Sequence, residues 1–307
     1  MALSATDNLD LEQLRQFGSL EMLAKQVVEG FIVGLHKSPF HGFSVEFAEH
    51  RLYNPGEATR HIDWKLYGRT DKLFIKKYEE ETNLRCQLVI DNSSSMYFPE
   101  TGFNKIQFSA YSAASIIYML KNQRDAVGLT LFSNEIEKYF PPRSNNVHIK
   151  LLYTELERLL LNHDHNKTSS ATAALHAIAE QIHKRSLVVI FSDMMDSAAN
   201  QEDLFNALQH LKYNRHEVIL FHIMDKSKEF DFEFENRPYQ FIDMESGQKI
   251  KVYPNEVKQS YLRQITEYRQ ALKTKCTQFH IDYIEADIRH GFRQVLLPYL
   301  VKRVKMK

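Results

Sequence analysis

From Cys86 onward, short apolar runs rich in β-branched residues alternate with segments of helical periodicity. The strand-like runs are "CQLVID", "AVGLTLFS", "SLVVIFSD", "HEVILFHIMD" and "FHIDYIEAD". Strands that are apolar on both faces and separated by helices are typical of a parallel sheet covered on both sides. We therefore predict an α/β fold, with a doubly wound, mostly parallel sheet, for residues 85–307.

The chain before this body has a different character. Residues 9–36 place apolar side chains at helical spacing, and residues 43–81 mix β-formers with turn signals such as Asn54-Pro55-Gly56-Glu57. We predict an amino-terminal helix and hairpin module over residues 1–84, packed on the body. Between residues 229 and 253, aromatic and charged residues alternate around a Ser-Gly pair, which predicts an inserted antiparallel hairpin.

Charge and cysteine content exclude several classes of protein. Lys plus Arg and Asp plus Glu number 39 each, so no overall field attracts nucleic acid or an anionic membrane. Cys86 and Cys276 lie far apart and have no CxxC partner, which predicts reduced, buried thiols. The amino terminus lacks a secretory pattern, and no window approaches the roughly 20 apolar residues that cross a bilayer. We expect a cytoplasmic protein that has no membrane span and does not bind nucleic acid.

A cluster of oxygen side chains follows the first strand of the body. In "QLVIDNSSSM", Asp91, Ser93 and Ser95 form an Asp-x-Ser-x-Ser spacing where ligands gather in open parallel sheets, outside the carboxyl ends of the strands. Hard oxygen ligands of this kind suit Mg²⁺ or Mn²⁺. The competing interpretation is that Asp91 caps the following helix and that the serines satisfy backbone groups.

Two further loops can contribute ligands. Asp193 directly follows the apolar run "LVVIFS", and adjacent strand ends would bring it near Asp91, where a shared cation would keep both carboxylates charged. Alternatively, Asp193 caps a following helix. In "NKTSSAT", the hydroxyls of Thr168, Ser169 and Ser170 precede a predicted helix and are either metal ligands or helix caps.

These loops carry two family resemblances. The Asp91-x-Ser93-x-Ser95 loop, a later Thr/Ser loop and a strand-terminal Asp193 resemble the metal-ion-dependent adhesion site of von Willebrand factor A domains, which have a Rossmann-like topology. The block "GFSVEFAEHRLYNPGEATRHIDWKLYGRTDKLFIKKYEEE", followed by "QLVIDNSSSM", resembles the bacterial DUF58 family still more closely. By motif, the resemblance covers about residues 36–200.

The resemblance implies a non-enzymatic module that binds Mg²⁺ or Mn²⁺ and uses it to capture an Asp or Glu of a partner protein. It also implies a MoxR-type AAA+ ATPase as a partner, in the chaperone-like assembly or maturation of other proteins. The implied ligands are Asp91, Ser93, Ser95, Thr168 and Asp193. The second loop often carries Gly-Thr in the family and reads Lys-Thr-Ser-Ser here; spacing favours Ser169, whereas residue type favours Thr168, which we take as the ligand.

Two other functions remain open. A metal-dependent hydrolase could use the two carboxylates with a cation, and Asp63-Trp64-Lys65 superficially resembles an acid-x-lysine element of nucleases. A metal-free scaffold of the same fold is the other alternative.

The block that contains Arg51, Tyr53, Glu57, Arg60, Asp63 and Trp64 is either a docking surface or a structural ion-pair network sealed by Trp64, and we favour the structural interpretation.

Overall fold

The five apolar runs lie side by side in one sheet, as their two-sided apolar character predicts. The structure is a computed structural model, and it describes residues 19–36, 50–52, 64–76, 84–161, 171–195, 201–243 and 248–305. The chain has an α/β fold with a mostly parallel central sheet.

The described residues form the following elements. The strands are β1 (His50–Leu52), β2 (Phe74–Lys76), β3 (Arg85–Asp91), β4 (Ala126–Phe132), β5 (Ile136–Arg143), β6 (Leu187–Ser192), β7 (Glu217–Met224), β8 (Tyr239–Ile242), β9 (Lys249–Val252) and β10 (Asp282–Asp287). The α-helices are α1 (Leu20–His36), α2 (Trp64–Thr70), α3 (Lys105–Asn122), α4 (Asn146–Leu161), α5 (Ala171–Gln181), α6 (Gln201–Tyr213), α7 (Pro254–Gln278) and α8 (Arg293–Lys305).

The central sheet has the strand order β10-β7-β6-β3-β4-β5. All neighbouring strands are parallel except β5, which pairs antiparallel with β4 at the edge. The β5 strand was not predicted, because Pro141 and Pro142 interrupt its pattern. Both prolines lie where the register shifts between Val127 and Leu129, a bulge at a sheet edge, and such positions tolerate proline because they need no ladder N–H.

Helices cover both faces of the sheet. On β3, Leu88 and Ile90 point to one side and pack in a core with α1, α3, α4 and α8. Val89 between them points to the other side and packs with α5, α6 and α7. Because β3 is an inner strand covered on both faces, Asp91 at its end is buried.

The chain divides into two compact units, one of Met1–Phe31 with Leu84–Lys307 and one of Ile32–Asn83. In the first unit, α1 contributes Leu23 and Val27 to the core. In the second, β1 and β2 pair antiparallel, with α2 between them in the chain.

Three further predictions can be compared with the described residues. The predicted inserted hairpin is confirmed as the antiparallel pair β8 and β9. Cys86 and Cys276 are both unpaired and buried, as predicted. None of the helices in the described ranges combines the length and the apolar character needed to cross a bilayer.

Candidate metal centre

Four neighbouring parallel strands each end at an aspartate. In the order of the sheet these are Asp287 at the end of β10, Asp225 after β7, Asp193 after β6 and Asp91 at the end of β3. The outer two have side-chain partners nearby: the Arg289 guanidinium contacts Asp225 at 2.8 Å, and the His290 ring contacts Asp287 at 2.7 Å. The inner two form the centre of the candidate site.

Asp91 is buried and held by hydrogen bonds from both sides. Its Oδ1 accepts the Ser93 N–H at 2.9 Å, and its Oδ2 accepts the Ser192 hydroxyl at 2.6 Å. Burial and the negative charge of Asp193 raise the pKa of Asp91 to about 7, against the effect of these hydrogen bonds. Asp91 makes no ion pair within the ranges that the structure describes. Among the described residues it is therefore a buried carboxyl group with no salt-bridge partner.

The two serines of the motif lie against both carboxylates. The Ser93 and Ser95 hydroxyl oxygens are 3.1 Å apart, and Ser95 hydrogen-bonds to Asp193. Ser93 is fully buried, whereas Ser95 is partly exposed. The structure thus brings together Asp91, Ser93, Ser95 and Asp193, with access to solvent on the Ser95 side.

Other predicted functional residues lie outside the described residues. These are Thr168, Ser169 and Ser170 of the second loop; the side chains of the block from Arg51 to Trp64, namely Arg51, Tyr53, Glu57, Arg60, Asp63 and Trp64; and the Lys65 side chain of the proposed acid-x-lysine element. The choice between Thr168 and Ser169, the nuclease-like element and the role of the block stay predictions.

Sequence reasoning missed the cation that the chain itself supplies to Asp193. Lys105, the first residue of α3, is 1% exposed, and its Nζ lies 2.7 Å from Asp193 Oδ2 and 2.6 Å from Glu229 Oε1. Burial alone would lower the pKa of this ammonium, but Asp193 and Glu229 raise it above its usual value, so Lys105 is charged. A metal is therefore not needed to keep Asp193 ionised. The pKa of Asp193 lies below its usual value because Lys105 outweighs the effect of burial.

Glu229 reaches the site from a single π-helical turn, Lys226–Phe230, after β7. Its second oxygen accepts the Asp225 N–H at 2.7 Å. Burial and the charge of Asp193 raise the pKa of Glu229, and the attraction of Lys105 opposes them. Neither the turn nor the role of Glu229 was visible in the sequence pattern.

Charge and ligand type decide what this arrangement can bind. Asp91, Asp193 and Glu229 supply three carboxylates against the one ammonium of Lys105. Buried His222 adds no compensating charge, because burial lowers its pKa to about 4. Among the described residues, no group of three or more His, Cys, Asp or Glu side chains is arranged to hold a metal ion. A cation at Asp91 would therefore depend on hydroxyl ligands, and the Ser93 and Ser95 oxygens fit that requirement.

Comparisons with known proteins concern the family and the fold. The family model described as "Protein of unknown function DUF58" matches residues 49–271. The uncharacterized proteins Mb1516 of Mycobacterium bovis and Rv1480 of Mycobacterium tuberculosis are each 23% identical over 209 residues, which is 67% of this chain. The aligned region spans 63% of each mycobacterial relative.

Two solved structures are similar at low identity. BatB from Bacteroides thetaiotaomicron, described as a conserved hypothetical protein, is 12% identical with a TM-score of 0.43, covering 73% of this chain and 100% of that one. An aerotolerance-related membrane protein from Bacteroides fragilis is 14% identical with a TM-score of 0.41, covering 69% and 98%.

Proposed function

The chain belongs to the DUF58 family of proteins of unknown function, and we propose that it is a non-enzymatic module that binds a partner protein through a divalent cation. The observation that carries this proposal is Asp91, a buried carboxylate with no ion-pair partner in the described ranges, beside two hydroxyl oxygens 3.1 Å apart. Burying an uncompensated charge is costly, and a bound cation would remove that cost.

The proposed ligands are the Asp91 carboxylate and the hydroxyls of Ser93 and Ser95, with Thr168 from the second loop. Asp193 would act through its hydrogen bond with Ser95, since its Oδ2 is already paired with Lys105. Mg²⁺ or Mn²⁺ suits such an oxygen set. When bound, the cation would supply an open coordination position for a carboxylate, and the partly exposed Ser95 side is where that carboxylate would enter.

The proposal includes a von Willebrand factor A-like fold for the body. It is supported by the Asp-x-Ser-x-Ser loop at the end of an inner parallel strand, β3, and by Asp193 after the adjacent β6. The partner would offer an Asp or Glu. From the family resemblance we also propose that the module works with a MoxR-type AAA+ ATPase in the assembly or maturation of other proteins.

Calorimetry with Mg²⁺ and Mn²⁺ tests the metal site. The wild type should bind one ion, and an Asp91→Asn, Ser93→Ala double variant should bind none. Asp287→Asn is the matched control, because it removes a strand-end carboxylate of the same sheet that already has a side-chain partner, His290 at 2.7 Å. If the double variant bound the ion as well as the wild type, the proposed site would be wrong. If Asp287→Asn lost as much affinity as the double variant, the ion would be attracted by the strand-end aspartates in general and not bound at one site.

A second experiment tests the mode of partner binding. Partners captured from a lysate should be lost when a chelator is added and restored by excess Mg²⁺. For a captured protein, replacing its contacting Asp or Glu by the amide should abolish the interaction. Capture that is indifferent to chelator and to Asp91→Asn would favour the metal-free scaffold.

A further inference from the structure

A basic pocket lies at the end of the central sheet where the parallel strands begin. This is the end opposite to the strand-end aspartates. It has a volume of about 480 Å³ and is lined by Lys184, Arg185, Tyr213, Asn214 and Arg215. Small-molecule sites commonly have volumes of about 300–1,000 Å³. The six residues of β6 separate the pocket from Asp193, a distance of roughly 20 Å at 3.3 Å per residue. The pocket is therefore distinct from the candidate metal centre.

Two adjacent loops present the arginines from a fixed backbone. Arg185 precedes β6 and Arg215 precedes β7, and both have left-handed backbones, with φ of 60° and 61°. The loops are joined, because the Glu217 N–H donates to the Ser186 carbonyl at 3.0 Å. Neighbouring strands lie about 4.8 Å apart, so the two guanidinium groups start from neighbouring positions. At Arg215 this conformation closes α6, since the Arg215 N–H donates to the Lys212 carbonyl at 2.9 Å, and it fixes where the side chain leaves the backbone.

The pocket carries more positive charge than the carboxyl ends of the two nearby helices can offset. The carboxyl end of a helix carries about half a negative charge, so the ends of α5 and α6 together offset about one cation. The pocket holds three: Lys184, Arg185 and Arg215. In the described part of the chain none of these three makes an ion pair, whereas neighbouring Lys212 pairs with Glu217 at 3.1 Å.

Arg124 shows that an arginine with this backbone does not by itself make a pocket. It precedes β4 with φ of 58° and closes α3, where its N–H donates to the Lys121 carbonyl and the Asp125 N–H donates to the Leu120 carbonyl. This is the hydrogen-bond pattern of a Schellman cap. Arg124 is exposed and does not line the pocket. It is therefore a matched reference for Arg185 and Arg215.

We propose that this pocket binds a small phosphate-bearing anion, with Arg185 and Arg215 gripping the phosphate. Guanidinium groups bind phosphate oxygens in pairs of charge-assisted hydrogen bonds. Lys184 adds a third positive charge. Tyr213 is 85% exposed and offers an aromatic face to the rest of the ligand, and the Asn214 side chain is fixed by its bond to the Ala179 carbonyl at 2.8 Å. The ligand is either an inorganic polyphosphate or the phosphate ester of an aromatic molecule.

Calorimetric titration of the full chain with pyrophosphate and with AMP, in the presence of EDTA, tests the proposal without metal at Asp91. The test variant is Arg185→Asn, Arg215→Asn, since asparagine tolerates the left-handed backbone. It should bind roughly tenfold more weakly or worse, because two charge-assisted contacts are lost. The affinity of Arg124→Asn should lie within about twofold of that of the wild type, because Arg124 does not line the pocket and the contacts of Arg185 and Arg215 with the ligand are unchanged. Melting temperatures would verify that each variant is folded.

The two ligand sources give different patterns. A phosphate ester of an aromatic molecule requires tighter binding of AMP than of pyrophosphate and a loss of that preference in Tyr213→Ala. An inorganic polyphosphate requires the reverse order and no effect of Tyr213→Ala. Equal weakening by Arg124→Asn would overturn the proposal, because it would show general attraction to a basic edge. Absence of binding to the wild type at millimolar concentrations of both probes would also overturn it.

Discussion

Replacing Lys105 by methionine would leave two carboxylates in the site without their ammonium. At separations of 2.7 and 2.6 Å, and with an effective dielectric constant near 20, each contact contributes about 6 kcal/mol of Coulomb energy. The cost of desolvating three charges offsets most of it, and breaking such buried pairs by removing one partner typically costs about 3–5 kcal/mol. We therefore expect Lys105→Met to lower the free energy of unfolding at pH 7 by about 3–5 kcal/mol.

Urea denaturation followed by circular dichroism would measure this loss. The matched control is Lys121→Met on the same helix, because Lys121 contacts Glu21 at the same 2.6 Å, but both side chains are about a third exposed. An exposed pair of this kind contributes about 0–1 kcal/mol. If the two variants lost equal stability, the reasoning that burial makes Lys105 the counter-ion of the site would be refuted.

The pH dependence of Lys105→Met provides a second test of the same reasoning. Without the ammonium, the pKa values of the folded Asp193 and Glu229 would rise above those of the unfolded chain. The folded state would then bind more protons than the unfolded state. The loss in free energy of unfolding, relative to the wild type, should therefore shrink as pH falls from 7 toward 5. If the loss of stability did not depend on pH, its cause would be the lost packing of the lysine side chain and not the unpaired carboxylates.

Two further predictions concern Asp91 and Gly128. Because the pKa of Asp91 is raised to about 7, Mg²⁺ must displace a proton from Asp91 at lower pH. Below pH 7 the affinity for Mg²⁺ should therefore fall by up to about tenfold per pH unit. Calorimetry in two buffers of different ionisation enthalpy would detect the released proton. Gly128→Ala should destabilise the fold by about 2–3 kcal/mol in urea titrations, because the new Cβ would lie 2.2 Å from Gln87 Oε1 and 2.5 Å from the Phe140 carbonyl oxygen. Gly30→Ala in α1 is the control: it meets nothing within 4 Å and should be neutral or stabilising by up to about 1 kcal/mol.

The central sheet could be predicted because its strands are apolar on both faces and its helices are long and periodic. The α3 helix illustrates this, since the stretch "KIQFSAYSAASIIYMLKN" has helical periodicity along its length and is a helix over all of Lys105–Asn122. The β5 strand could not be predicted, because an edge strand with a bulge needs neither alternation nor a full set of N–H donors. A local sequence pattern predicts a strand only where the strand has regular neighbours on both sides, as the inner strands of this sheet do and β5 does not.

The candidate site was only partly predictable for a different reason. Asp91, Ser93 and Ser95 share one loop, and Asp193 follows an apolar run, so their spacing could be read from the sequence. Lys105 could not be found this way, because a lysine in the first turn of a helix is normally solvated. Its burial depends on Asp193 and on Glu229, which is 124 residues further along the chain. Pairings over such separations leave no local pattern.

From the consecutive prolines of β5 we also expect a lower tendency to aggregate at high protein concentration. An exposed sheet edge can recruit a strand from another molecule, and growth of that kind begins aggregation. Pro141 and Pro142 offer no N–H on the edge strand, and the bulge they occupy bends that strand away from a regular ladder. A chain with residues 141 and 142 changed to valine would carry a longer, more uniform edge and should form intermolecular β-structure more readily during refolding.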